Sequence, residues 1–110
     1  MGMNVVQAIG ETGPLGTGDI ARLLGTTERT VQRWASGDAS PRREALDHLL
    51  EVKAVLDLAR EVMPAYDTRA FWLRSPNSAL NWEKPLDLIR DRKYRRVLAA
   101  LTALGEGVTS

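Results

Sequence analysis

No cysteine occurs among the 110 residues, which excludes disulfide staples and thiolate metal sites and suits a reducing cytoplasm. Apolar runs are short, and none approaches the roughly 18 residues of a membrane-spanning helix. The first residues also lack a basic segment followed by an apolar one. We therefore expect neither export nor membrane insertion, and a cytoplasmic protein without a membrane partner. Aromatics make up only 5% of the chain and alternating β-branched runs are missing, so no segment calls for a strand. Nor is there a phosphate-binding glycine loop, a metal-ligand spacing, or a His/Cys/Asp cluster that would pair a nucleophile with a base. No enzyme, cofactor or metal site is expected. The single histidine, His48, has no such partner near it, and a surface or flank position is expected for it.

What is present is helical patterning. Hydrophobic residues make up 44% of the chain at regular helical spacing, which points to an all-α protein of one domain, or two small subdomains sharing a helix. The net charge of +1 says little, but its distribution says more. Residues 17–43 hold five Arg against three acids, 44–67 two bases against six acids, and 83–96 six bases against three acids. Two basic ends thus flank an acidic middle, suited to two negatively charged partners. Solvated helix faces would give the acidic middle equally well.

The most informative stretch is TGDIARLLGTTERTVQRWASG, residues 17–37. Thr17 is expected to cap a first helix whose Ile20, Leu23 and Leu24 form an inward stripe, with Asp19 in the first turn where the helix dipole favours it. Gly25 supplies the sharp turn. Thr27 then caps a second helix, in which Val31 and Trp34 face the first. Glu28, Arg29, Gln32, Arg33 and Ser36 are left outward, and Gly37 ends the helix. This is a helix-turn-helix. Arg pairs with guanine O6 and N7 and Gln with adenine N6 and N7, so Thr27, Arg29, Gln32 and Arg33 are candidates for reading operator DNA. Glu28 repels phosphate and opposes very tight binding. A solvated face on a helical hairpin is the plainer alternative.

Before this stretch, Asn4 is expected to cap a short helix through Ile9 that Gly10 interrupts and that covers the helix-turn-helix core. After it, Ser40 as cap and Pro41 at the first position open a long helix. Ala45, Leu49, Val52, Leu56 and Ala59 form its main stripe, widened by Leu46, Leu50, Val55, Leu58 and Val62, and Pro64 ends it. Arg42 and Arg43 at its start are candidates for phosphate contacts. Thr68 is expected to cap a short helix carrying Phe71, Trp72 and Leu73, and residues 77–80 to form one helical turn. Asn81 to Lys84 form a loop before Pro85 opens a helix, and Trp82 there is either a lid on a small core or an interface anchor. The last helix is expected from near Arg92, with Tyr94, Val97, Leu98, Leu101 and Leu104 inward, Arg92, Arg95 and Arg96 projecting, and Gly105 as its stop. We divide the chain into a helix-turn-helix region with the connecting helix, residues 1–63, and a small helical region, residues 64–110.

FWLRSPNSALNWEKPLDLIRD, followed by YRRVLAALTALGEGV, is similar to the C-terminal toxin-binding region of the Xre/MbcA/ParS antitoxin family, and the helix-turn-helix resembles the family's Xre-like N-terminal part. Trp72-Leu73, Pro76-Asn77, Leu80, Pro85, Asp87-Leu88 and Gly107-Val108 carry the likeness. Many members have a glycine-rich turn where this chain has Asn81-Trp82 and again at Arg92-Lys93. The resemblance implies a type II antitoxin whose C-terminal region covers the active-site entrance of a RES-domain toxin that consumes NAD by phosphorolysis or hydrolysis, or transfers its ADP-ribose. Trp82, Lys84, Arg92, Arg95 and Arg96, with Gly107, Val108, Thr109 and Ser110 as an entrance plug, are then the candidate toxin contacts. Operator DNA and a homodimer or larger toxin–antitoxin oligomer are the further partners expected. A stand-alone helix-turn-helix repressor is the alternative.

Overall fold

The structure is a computed structural model and describes residues 4–107; Val108, Thr109 and Ser110, named above as plug residues, lie outside the described residues. Among the described residues seven α-helices and one 3-10 turn follow one another: α1 (Val5–Thr12), α2 (Thr17–Leu24), α3 (Glu28–Ser36), α4 (Arg43–Val62), α5 (Tyr66–Arg74), the turn Ser78–Leu80, α6 (Pro85–Arg90) and α7 (Tyr94–Gly105). The fold is all-α. Among the described residues the one sheet-like feature is an isolated antiparallel bridge between Asn77 and Glu83.

The helix-turn-helix forms as its caps and apolar pairs suggest, with one correction. Gly16, not Thr17, stands at the cap of α2, and the Asp19 carboxylate accepts from the Gly16 N–H at 3.0 Å. Thr17 is already helical, and its hydroxyl donates to Glu28 Oε2 at 2.8 Å, a tie between α2 and α3. Gly25 takes the left-handed conformation at φ 66° that the turn requires. Thr27 accepts from the Thr30 N–H at 3.1 Å and caps α3. Val31 is buried between the two helices, and Trp34 is half-buried beside it. α1 runs through Gly10 instead of stopping there, and Asn4 both caps it and donates to the Trp34 and Ala35 carbonyls at the end of α3. Val6 and Ile9 of α1 enter the core, so this helix does cover the helix-turn-helix.

α4 is the spine, touching α1, α2, α5 and α7. It opens at Arg43 with Arg42 as cap residue, two residues later than Ser40 and Pro41 suggest. Leu49, Val52, Val55, Leu56 and Ala59 are buried in one apolar cluster that runs from Val6 to Leu101. Fully burying each such Leu or Val contributes about 1.5–3 kcal/mol. Leu46 and Leu50 remain exposed on the opposite side. The Arg69 guanidinium, buried under α5, donates to the Met63 and Pro64 carbonyls at 2.9 and 3.0 Å and places its cation at the C-terminal end of α4.

α5 begins at Tyr66, so Thr68 lies inside it and caps nothing. Of its apolar group only Leu73 is buried; Trp72 is half-buried and Phe71 is exposed. α7 starts at Tyr94, because Arg92 takes a left-handed φ of 63° that breaks the chain away from α6. Its stripe of Val97 and Leu101 is buried, but Leu104 is exposed, and α7 runs through Gly105 to a cap at Glu106. A side chain at Gly105 would come within 2.9 Å of Val62 Cγ2, so glycine lets α7 close on the end of α4.

Two polar joints bind the helix-turn-helix to the C-terminal helices. His48 is buried, not at the surface or a flank. Its Nε2 donates to the Leu23 carbonyl at the end of α2 at 2.9 Å, and its Nδ1 accepts from the Tyr94 hydroxyl of α7. The second joint is Arg74 of α5, which donates to both Asp19 carboxylate oxygens at 3.0 and 3.2 Å and to the Pro14 carbonyl at 2.9 Å.

Candidate functional site

On α3, Arg29, Gln32 and Arg33 share one face at three- and four-residue spacing, and all three are exposed. Arg42 and Arg43 at the start of α4 are exposed as well. Among the described residues none of these five side chains enters an ion pair or hydrogen bond, whereas Glu28 is engaged by Thr17. Four cations and an amide therefore stand unpaired and solvent-facing, the condition in which they contact an anionic duplex without first breaking an internal bond. Thr27 is exposed too, but its hydroxyl is engaged in capping α3.

The C-terminal candidates fall into two groups. Around the loop after the 3-10 turn, Asn81 and Trp82 both take left-handed backbone, at φ 55° and 66°. Arg92 at φ 63° is the third such non-glycine residue among those described. A non-glycine side chain in this region costs about 1–2 kcal/mol. The strain is held by hydrogen bonds: the Trp82 N–H donates to the Asn77 carbonyl at 2.8 Å and the Glu83 N–H to the Leu80 carbonyl at 3.0 Å. The outcome is an indole that is 70% exposed on a fixed turn. Trp82 is therefore not a lid on the core.

Arg96 does not project freely. It donates to Glu83 Oε2 at 3.0 Å and to the Leu80 carbonyl at 3.2 Å, and so pins the Trp82 loop to α7. Among the described residues Arg92 and Arg95 are exposed and enter no ion pair. Lys84 lies on the rim of an open groove of about 370 Å³ between α2 and α6, with Arg22, Arg74, Leu86 and Arg90. The Asp19 carboxyl in this groove titrates below its ordinary value: burial alone would raise it, but the hydrogen bonds from Arg74 and the Gly16 N–H and the charges of Arg74 and Arg22 outweigh burial.

Gly107 forms the second group, just past the end of α7, whose last residue Gly105 lies about 15 Å along the helix from Arg95 at helical rise. It borders an open hollow of about 270 Å³ with Trp72, Asn77, Ala79, Ala103 and Leu104. Exposed Leu104 at this edge is a residue that an inward stripe hides from sequence reasoning; it lies in the last turn of α7, level with the end of α4, and stays 49% exposed. Among the described residues no group of three or more His, Asp or Glu is placed to hold a metal ion.

Comparison with known proteins bears on both ends of the molecule. Residues 58–107 match the family model of the Xre/MbcA/ParS antitoxin C-terminal toxin-binding domain. Over 90 residues, covering 82% of this chain and 79% of the relative, the sequence is 39% identical to the mycobacterial cidal antitoxin MbcA of Mycobacterium bovis and of Mycobacterium tuberculosis. The chain belongs to the Xre/MbcA/ParS antitoxin family. A chain in the crystal structure of the M. tuberculosis MbcT–MbcA toxin–antitoxin complex superposes on this antitoxin with a TM-score of 0.84 at 37% identity, covering 96% of this chain and 94% of that one. The antitoxin is also 26% identical over 89 residues, covering 81% of this chain and 75% of the relative, to a probable mycobacterial cidal antitoxin of M. tuberculosis. The likeness thus extends through the helix-turn-helix as well as the C-terminal helices. No described helix of the antitoxin is long and apolar enough to cross a membrane.

Proposed function

We propose that this antitoxin works in the cytoplasm as the type II partner of a RES-domain toxin, blocks that toxin's NAD-consuming active site, and regulates its own operon by binding DNA. The observation that carries the toxin side of the reading is the likeness, over nearly the full length, to a chain taken from a toxin–antitoxin complex. Trp82 is the anchor, because a large aromatic held outward by a strained turn loses little freedom on docking. Lys84, Arg92 and Arg95 give a positive surround complementary to a pocket built for an anionic dinucleotide, while Arg96, engaged by Glu83, serves by holding the Trp82 loop in place. Gly107, Val108, Thr109 and Ser110 occupy the entrance. At the other end Arg29, Gln32 and Arg33 read the major groove while Arg42 and Arg43 contact backbone phosphates. Toxin-bound oligomers present several such units and hold the operator by avidity.

Co-expression with the product of the adjacent gene tests this reading. Cellular NAD should fall when that gene is expressed alone and hold when the antitoxin accompanies it. Inhibition that survives deletion of 107–110 would remove the plug. An adjacent gene without effect on NAD would remove the toxin partner and leave a stand-alone repressor, whose activity follows Arg29, Gln32 and Arg33 alone.

A further inference from the structure

The side of α4 that faces away from the core carries its own pattern. At about 100° per residue, Arg43, Leu46, Asp47, Leu50, Lys53, Ala54 and Asp57 all lie within about 60° of Leu50, while buried Val52, Val55, Leu56 and Ala59 lie on the far side. Leu46 and Leu50 are 37% and 49% exposed, and Arg43, Asp47, Ala54 and Asp57 are exposed beside them. Positions 43, 46, 50, 53 and 57 follow the alternating three- and four-residue step of a coiled-coil seam, with leucine at its centre and charge at its ends.

We propose that a second copy of this chain docks on this face, α4 against α4 in antiparallel, about a two-fold axis at Leu50. In that register Leu50 meets the partner's Leu50, Leu46 meets the partner's Ala54, and Arg43 meets the partner's Asp57, the last two pairs occurring twice by symmetry. Asp47 and the partner's Lys53 come level with opposite signs. Asp57 already accepts from Lys53 of its own chain at 2.7 Å, so the incoming Arg43 joins a carboxylate that is held in place. A parallel pairing in the same register keeps leucine on leucine but sets Arg43 against Arg43, Asp47 against Asp47, Lys53 against Lys53 and Asp57 against Asp57, so every charged pair repels. The order of charges along one helix therefore selects an antiparallel copy of itself, a symmetry that a foreign partner has no reason to match.

The proposal deepens the oligomer part of the function proposed above and does not depend on the toxin. It also moves one residue: Arg43 turns to the partner subunit, and the phosphate contact at the start of α4 falls to Arg42. The seam is about 21 Å long, small among stable interfaces, so the antitoxin alone should dissociate in the micromolar range.

Sedimentation equilibrium of the full chain across low to high micromolar concentration reads the test. The wild type should dimerise, and Leu50→Glu, which sets two acids face to face at an already exposed position, should weaken association about tenfold or more. Arg43→Asp and Asp57→Arg should each weaken it too, since either change sets like charges together twice. An equimolar mixture of these two variants should recover dimer, because the mixed pair restores both opposite-charge contacts. That recovery is independent of how Leu50→Glu folds. A wild type that stays monomeric overturns both the interface and the free homodimer. A dimer indifferent to Leu50→Glu and to the charge changes overturns this face while leaving self-association standing. Loss on substitution without recovery on mixing overturns the antiparallel register.

Discussion

Replacing Arg74 by Ala asks how firmly the helix-turn-helix is held to the C-terminal helices. The guanidinium is 44% exposed, while the Asp19 carboxylate that it grips at two points is only 15% exposed. A third bond, to the Pro14 carbonyl, is lost with it. Hydrogen bonds to charged groups contribute about 1.5–3 kcal/mol, and screening at the half-exposed guanidinium reduces this, so Arg74→Ala should cost about 1–2 kcal/mol. Arg22 provides the internal control. It grips the same carboxylate at 2.5 Å but is 73% exposed and lies three residues along the same helix, so Arg22→Ala should cost only about 0.3 kcal/mol. Urea unfolding at neutral pH measures both, and a thermal scan should show a fall of about 4–8 °C for Arg74→Ala. Equal costs for the two variants, or an Arg74→Ala protein as stable as the wild type, would refute the claim that this pair joins the two ends.

Three further outcomes follow from the geometry. His48 titrates below its ordinary value because burial disfavours the cation, a bond to the Leu23 carbonyl opposes this, and the charge of Arg92 adds to the lowering. The folded state is thus less protonated than the unfolded one. Stability is full above the unfolded pKa near 6.5 and is lost as pH falls through the folded value, so the urea midpoint should drop between pH 7 and about 5.5, and His48→Leu should flatten that slope. Trp82→Ala should reduce toxin inhibition about tenfold or more with an unfolding midpoint no lower than the wild type's, since the indole is exposed; a large loss of stability would place Trp82 in the core after all. The triple variant Arg29→Ala, Gln32→Ala, Arg33→Ala should abolish operator shift in a gel assay while toxin inhibition persists, and loss of both would show that the two ends are not separable.

What was legible in the sequence was local. The helix-turn-helix could be read from Gly25, Thr27, Gly37 and the apolar pairs because each of these signals acts within a few residues of itself. Pro64 and Pro85 marked a helix end and a helix start for the same reason. The errors came where a distant group competed for the same atom. The Thr17 hydroxyl looks like a cap until Glu28 comes within reach across the turn and Gly16 takes the cap position. His48 looked like a surface residue because its two partners, the Leu23 carbonyl and Tyr94, lie 25 and 46 residues away. Arg96 counted as a projecting cation until Glu83 folded back onto it. Leu104 and Phe71 fit apolar stripes by period, but both are exposed, because a period does not say how wide a strip of the helix its neighbours cover. The left-handed turns at Asn81-Trp82 and Arg92 sat where the family resemblance has glycine, so the likeness located the strain better than the residues did.

On the function proposed, this antitoxin silences its toxin by occupying the site where NAD is consumed. The most direct measurement is a titration of purified antitoxin into its purified toxin while NAD loss is followed. The account predicts that turnover falls linearly to zero at one antitoxin C-terminal region per toxin active site, and that saturating NAD slows the onset of inhibition. Residual turnover at excess antitoxin, or an onset indifferent to NAD, would contradict it.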